Sequence, residues 1–196
     1  MTELPLEKTF GTLQLERFPP AIRQQVEHLR SGAFVGDAIN VIAVGRPGAG
    51  KSHVLAALGH ELVLRGHPVL WTTTASLVQR LLAAKRDLRL LQVQAQLDRY
   101  ACLILDDIGY VQHDRDEMEV LFTLLAERYE RRSVALSTNL IFSEWERIGV
   151  ERLGQRATPG YQPRPAKLHS MTGHSEPARC NDVSFPGHCV EPHRED

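Results

Sequence analysis

The 196-residue chain has too few cysteines for a disulfide framework: Cys102, Cys180 and Cys189 are widely spaced, and Cys102 sits in an apolar run where a buried free thiol is the ordinary state. No apolar stretch approaches the roughly 18 residues that a membrane-spanning helix needs. Residues 1–5 carry no basic region ahead of an apolar run, as a secretory signal would. A cytoplasmic protein without a membrane role is therefore expected. Charge of one sign is also lacking. A formal net charge of −1 gives no overall attraction to nucleic acid or to an anionic membrane, so any such contact must come from a local patch. With 42% hydrophobic and 24% charged residues, the chain lies outside the low-hydrophobicity, high-charge regime of disordered sequences. Its length suits one globular domain with an appendage.

What is present reads as strands alternating with helices. Residues 38–44 form an apolar, β-branched run that ends in a glycine-rich turn, the pattern of a buried parallel strand. Val54, Leu55, Leu58 and Leu62 then recur at helical spacing, and Gly66 with Pro68 supplies a stop signal. Residues 69–72 read as the next strand. Ser76 followed by Gln79 has the form of a capping box, and Leu77, Leu81, Leu82, Leu88, Leu91 and Leu97 predict one long or broken helix beyond it. Residues 101–105 and 133–137 read as further strands, on either side of a helix at 116–129 that turns Val120, Leu121, Leu124 and Leu125 inward. Helices between successive strands make parallel crossover units, which predicts an α/β fold of three layers with ligands at the carboxyl ends of the strands. On this pattern the core spans 38–148, after an N-terminal helical or linker segment at 1–37. From 149 to 196 the character changes: six of the 11 prolines, four of the nine histidines and two of the three cysteines lie there, with no strand or helix period. An irregular, poorly ordered tail is expected.

The chemistry concentrates at Gly45, Arg46, Pro47, Gly48, Ala49, Gly50, Lys51 and Ser52, which fit the pattern glycine, four residues, Gly-Lys-Ser. The pattern stands directly after a strand and directly before a helix, the context of a phosphate loop. Its glycines let backbone N–H groups converge on phosphate oxygens and the helix N-terminus adds a favourable dipole; Lys51 reaches the β and γ phosphates and Ser52 ligates magnesium. His53 follows at the same helix start. Downstream, the apolar run Leu103, Ile104, Leu105 delivers Asp106 and Asp107. Asp106 is the candidate on the metal side, beside Ser52, and Asp107 the group that orients or deprotonates an attacking water. Ser137, Thr138 and Asn139 close the last strand, where the Asn139 amide reaches the γ-phosphate or the water. ATP and Mg2+ are the cofactors this set predicts. Arg80, Lys85, Arg86 and Arg89 line the helix after the second strand, as a solvated face or as contacts to a nucleic-acid backbone. His53, His60 and His67 recur every seven residues without convergent partners, and the tail's His and Cys lack the paired spacing of zinc modules.

Taken in order, these motifs resemble the IstB-like ATP-binding proteins, the helpers of insertion-sequence transposases, whose relatives within the AAA+ group include the DnaC helicase loader. The similarity runs from about residue 8 to residue 148. It extends beyond the nucleotide motifs to 79–90 (QRLLAAKRDLRL), 103–110 (LILDDIGY), 117–132 (EMEVLFTLLAERYERR) and 142–148 (FSEWERI). The resemblance implies an AAA+ core, self-assembly on duplex DNA with ATP between subunits, and a transposase as partner. It places Lys51 and Ser52 on ATP and magnesium, Asp106 and Asp107 on metal and water, and Asn139 at the sensor position. It also turns Arg80, Lys85 and Arg86 toward DNA. Two departures stand out. AAA+ proteins commonly follow the metal-side aspartate with glutamate, and Asp107 is one methylene shorter. The family continues into a helical region with an Asp-Arg-Leu stretch that supplies arginine to ATP, which 149–196 do not resemble. Nucleotide binding with weak or absent turnover is therefore expected. A nucleotide-binding remnant without turnover, a helicase-loader-like ATPase and a small-molecule kinase remain as alternatives.

Overall fold

The computed structural model describes residues 4–108, 115–139 and 168–172, the last as backbone only. Tyr110, the 142–148 segment and the rest of 149–196 lie outside the described residues. The strands are β1 (Asn40–Val44), β2 (Val69–Thr73), β3 (Cys102–Asp106), β4 (Ser133–Thr138) and β5 (Leu168–Thr172). They form one parallel sheet in the order β2-β3-β4-β1-β5. Before and between them run α1 (Pro20–Arg30), α2 (Ala33–Gly36), α3 (Lys51–Leu64), α4 (Thr74–Arg86), α5 (Leu90–Leu97) and α6 (Arg115–Arg128). The sheet joins β1 to β3 through β4, so strands distant in sequence end side by side.

The alternation of side chains along each strand divides the core in two. One face sends Ile42, Val44, Leu103, Leu105, Val134 and Leu136 against α4, α5 and α6. The other sends Val41, Ala43, Trp71, Cys102, Ile104 and Ala135 against α1 and α3. This is the expected three-layer arrangement, and α1 shares its core through Ile22, Val26 and Leu29. Helix α3 lies so close to the sheet that a Cβ on Gly59 would stand 2.8 Å from Ile104 Cδ1 and 2.6 Å from Leu4 Cδ2, contacts that no real side chain makes.

Two sequence expectations are corrected and one is narrowed. The capping residue of α4 is Thr73, not Ser76: its hydroxyl accepts the Ser76 N–H at 3.2 Å, because β2 runs directly into the helix. Of the two outcomes the leucine pattern of 77–97 left open, the broken helix is the one formed: Leu88 takes φ 56° between two helices, with Leu88 and Leu91 pointing to solvent. Finally, a strand does occur after residue 149. Residues 168–172 pair parallel with β1 from Asn40↔Leu168 to Val44↔Thr172, satisfying backbone groups that a five-residue edge strand would leave open.

Candidate functional site

The carboxyl ends of β1, β3 and β4 meet at one place. After Val44 the chain is anchored by Gly45 N–H, which donates to the Thr138 carbonyl at 3.2 Å. It then turns through Arg46, Pro47, Gly48 and Ala49, all exposed, with Ala49 N–H on the Arg46 carbonyl. Gly48 and Gly50 take φ 77° and 85°, the left-handed region that glycine occupies without strain. At Gly50 a Cβ would also stand 3.0 Å from Phe18 Cζ. Gly50 caps α3, so the first N–H groups of that helix, from Lys51 to His53, face the loop without intrahelical partners. The result is a concave set of donors at a helix N-terminus, which suits an anionic phosphate.

Lys51 lies half-buried under this loop. Its ammonium donates to the Gly45 carbonyl at 2.7 Å and the Arg46 carbonyl at 3.0 Å. Desolvation lowers its pKa from the ordinary lysine value, while the nearby negative charges of Asp107 and Asp106 act against that shift. Ser52 donates its hydroxyl to Asp106 Oδ1 at 2.7 Å, across 54 residues of sequence. Ser137 donates to the same oxygen at 2.6 Å and accepts the Asp107 N–H at 2.8 Å. The Asp106 carbonyl takes the Thr74 hydroxyl at 3.2 Å, tying the start of α4 to the same strand end. A carboxylate and a helix-start hydroxyl in contact are hard oxygen donors suited to Mg2+. Asp107 is exposed at φ 59°, a conformation disfavoured for a residue with a Cβ. Asn139 is exposed immediately beyond β4. Beside Lys51 opens an apolar recess walled by Phe18, Ile22, Ala43, Val44 and Val54.

Lys51, Ser52, Asp106, Asp107 and Asn139 thus share one end of the sheet. His53 differs: its ring Nε2 lies 3.1 Å from the Thr9 carbonyl and 3.1 Å from Thr12 Oγ1, so what it offers the loop is its backbone N–H. His60 similarly meets the Pro5 carbonyl at 2.9 Å. Of the basic residues, Arg80, Lys85 and Arg86 sit on α4, and Arg89 lies beyond its end, at the start of α5. Arg80 donates to Gln96 Oε1 at 3.1 Å, Lys85 pairs with Glu119 at 3.2 Å and Asp116 at 3.4 Å, and Arg86 is exposed. Sequence reasoning assigned no role to Ser137, Thr74 or Phe18. The first two are ordinary hydroxyls until the sheet order brings them to Asp106, and Phe18 is one apolar residue among many.

The family described as IstB-like ATP binding protein matches residues 1–154. The chain is 39% identical over 165 residues to the insertion sequence ATP-binding protein y4iQ/y4nD/y4sD of Sinorhizobium fredii (strain NBRC 101917 / NGR234), covering 79% of this chain and 55% of that protein. It is 29% identical over 141 residues to the replicative helicase loader DnaC of Escherichia coli K12, covering 70% of this chain and 56% of that one. The chain spans little more than half the length of these relatives. In fold it is similar to the replication initiator DnaA bound to AMPPCP and single-stranded DNA, with a TM-score of 0.69 at 14% identity over 87% of this chain and 51% of that chain.

Proposed function

Because the chain belongs to the family of IstB-like ATP-binding proteins, we propose that it binds ATP with Mg2+ in the loop Gly45 to Ser52 and acts as an AAA+ helper of a transposase on duplex DNA. The observation that carries this reading is the convergence of Lys51, the Ser52–Asp106 pair and Asp107 at one phosphate-sized loop. The loop and the start of α3 receive the phosphates through backbone N–H groups. Lys51 exchanges the carbonyls of Gly45 and Arg46 for phosphate oxygens. Phe18 and its apolar neighbours offer a surface for the base. Ser52 and Asp106 hold the metal, which when bound screens the phosphate charge and draws electrons from the terminal phosphorus. Asp107 orients the attacking water and takes its proton as the bond to the β-phosphate oxygen breaks, and Asn139 holds the same water or the γ-phosphate. The one-methylene shortfall of Asp107 relative to glutamate keeps turnover slow without weakening binding.

Arg80, Lys85 and Arg86 on α4 provide the positive charge for duplex DNA, and ATP between copies drives assembly along it. Sedimentation of the protein with duplex DNA, with and without Mg-ATP, tests this directly. ATP-dependent co-sedimentation that disappears in Lys51→Ala supports it. Co-sedimentation of equal extent without nucleotide, or none at all, counts against it.

A further inference from the structure

We propose that Ser137 is a positioning residue that sets both acidic groups of the site, an inference that rests on the Mg-ATP reading above. The β3–β4 ladder runs from Cys102↔Ser133 to Leu105↔Leu136 and goes no further. Beyond it the main chain of Ser137 pairs with Ala43 of β1. The Ser137 side chain reaches the end of β3. Its hydroxyl donates to Asp106 Oδ1 at 2.6 Å and accepts the Asp107 N–H at 2.8 Å, the two residues that the reaction requires to be placed.

Three features make this hold matter. Ser137 is 2% exposed, so water does not compete for its hydroxyl. Asp107 sits at φ 59°, and a strained conformation of this kind persists only where the surroundings over-determine it. Asp106 Oδ1 is gripped by two hydroxyls, from Ser52 and Ser137, which together arrest rotation of the carboxylate. Ser137 also lies two residues before Asn139, which stands immediately beyond β4, so movement at that end of the strand reaches both acids through one hydroxyl.

Threonine and valine at 137 share a shape and differ in the hydroxyl, so Ser137→Thr and Ser137→Val form the test, with Ser137→Ala in reserve should valine fail to fold. Three readouts are compared: affinity for ATP in EDTA, Mn2+ affinity of the AMPPNP complex by electron paramagnetic resonance, and kcat and KM. The valine and alanine variants should keep metal-free ATP affinity within about twofold and lose about tenfold in Mn2+ affinity, the scale of one hydrogen bond to a charged group. They should lower kcat with little change in KM, and threonine should restore both. Hydrogen exchange of the Asp107 amide in the nucleotide-free protein should accelerate in valine and stay protected in threonine. Valine equal to threonine in Mn2+ affinity and in amide exchange overturns the role of Ser137. A wild-type chain that binds no nucleotide overturns the Mg-ATP reading instead, and the amide exchange still decides whether Ser137 holds Asp107.

Discussion

At Lys51 a cation is held in its own loop by two carbonyls at 2.7 and 3.0 Å, a geometry that keeps it poised where phosphate charge would arrive. Removing it with Lys51→Ala is expected to cost about tenfold or more in ATP affinity, measured by titration calorimetry, while leaving the urea midpoint nearly unchanged because the ammonium anchors only the loop. Asp107 is exposed and contributes no packing, so Asp107→Asn should bind ATP as the wild type does and lose whatever hydrolysis the wild type shows. A fall in Mg-ATP affinity on that substitution would place Asp107 on the metal rather than on the water. The two residues were legible before the fold was known because each sits in a contiguous pattern, a glycine loop or an apolar strand ending in acids. Ser137 was not. Its partner Asp106 lies 31 residues away, and nothing local distinguishes a serine that pins a carboxylate from one that closes a strand.

Helix α6 shows the same limit at the scale of an element. Val120, Leu121, Leu124 and Leu125 were readable as its inner face and are all buried. Arg128 continues that face although its charge argues for solvent: it is 1% exposed and donates to the carbonyls of Leu97, Tyr100 and Ser133 at 3.0, 2.8 and 3.3 Å. The guanidinium thereby closes the ends of α5 and the turn before β4, and burial lowers its pKa to about 10. Arg128→Met should lower unfolding free energy by about 3 kcal/mol, because two buried carbonyls and a partly buried one lose their donor, and Arg128→Lys should recover little since an ammonium cannot span the fork. Urea denaturation checks both. Nearby on β3, burial pushes the Cys102 thiol up to about 12. The unfolded thiol ionises near its usual value of 9.0 while the folded one keeps its proton, so the unfolded state binds fewer protons above that pH and stability falls as pH rises toward 12. The urea midpoint of the wild type should therefore drop between about pH 8 and about pH 10, and Cys102→Ala, less stable at the lower pH, should show a shallower drop.

Across the whole molecule, periodicity was enough for the three layers, since buried parallel strands and amphipathic helices carry their own signatures. Strand order was not, because β1 pairs with β4 and β5 rather than with its neighbour in sequence. That order is what makes the site, by laying the loop after β1 beside the acids of β3 and the hydroxyl of β4. The start of α4 touches the site through Thr74, while further along the helix Arg86 faces solvent and Arg80 and Lys85 reach Gln96, Asp116 and Glu119. If α4 is the DNA face, Arg80→Glu combined with Arg86→Glu should weaken duplex binding about tenfold or more and flatten its dependence on salt, with ATP affinity unchanged. The central claim, a nucleotide site built on Lys51 at the convergence of three strands, is tested most directly by equilibrium binding of Mg-ATP to wild type and Lys51→Ala side by side. Saturable binding by the wild type that is lost in the variant is the predicted result. Absence of binding in the wild type, or equal binding in both, would contradict it.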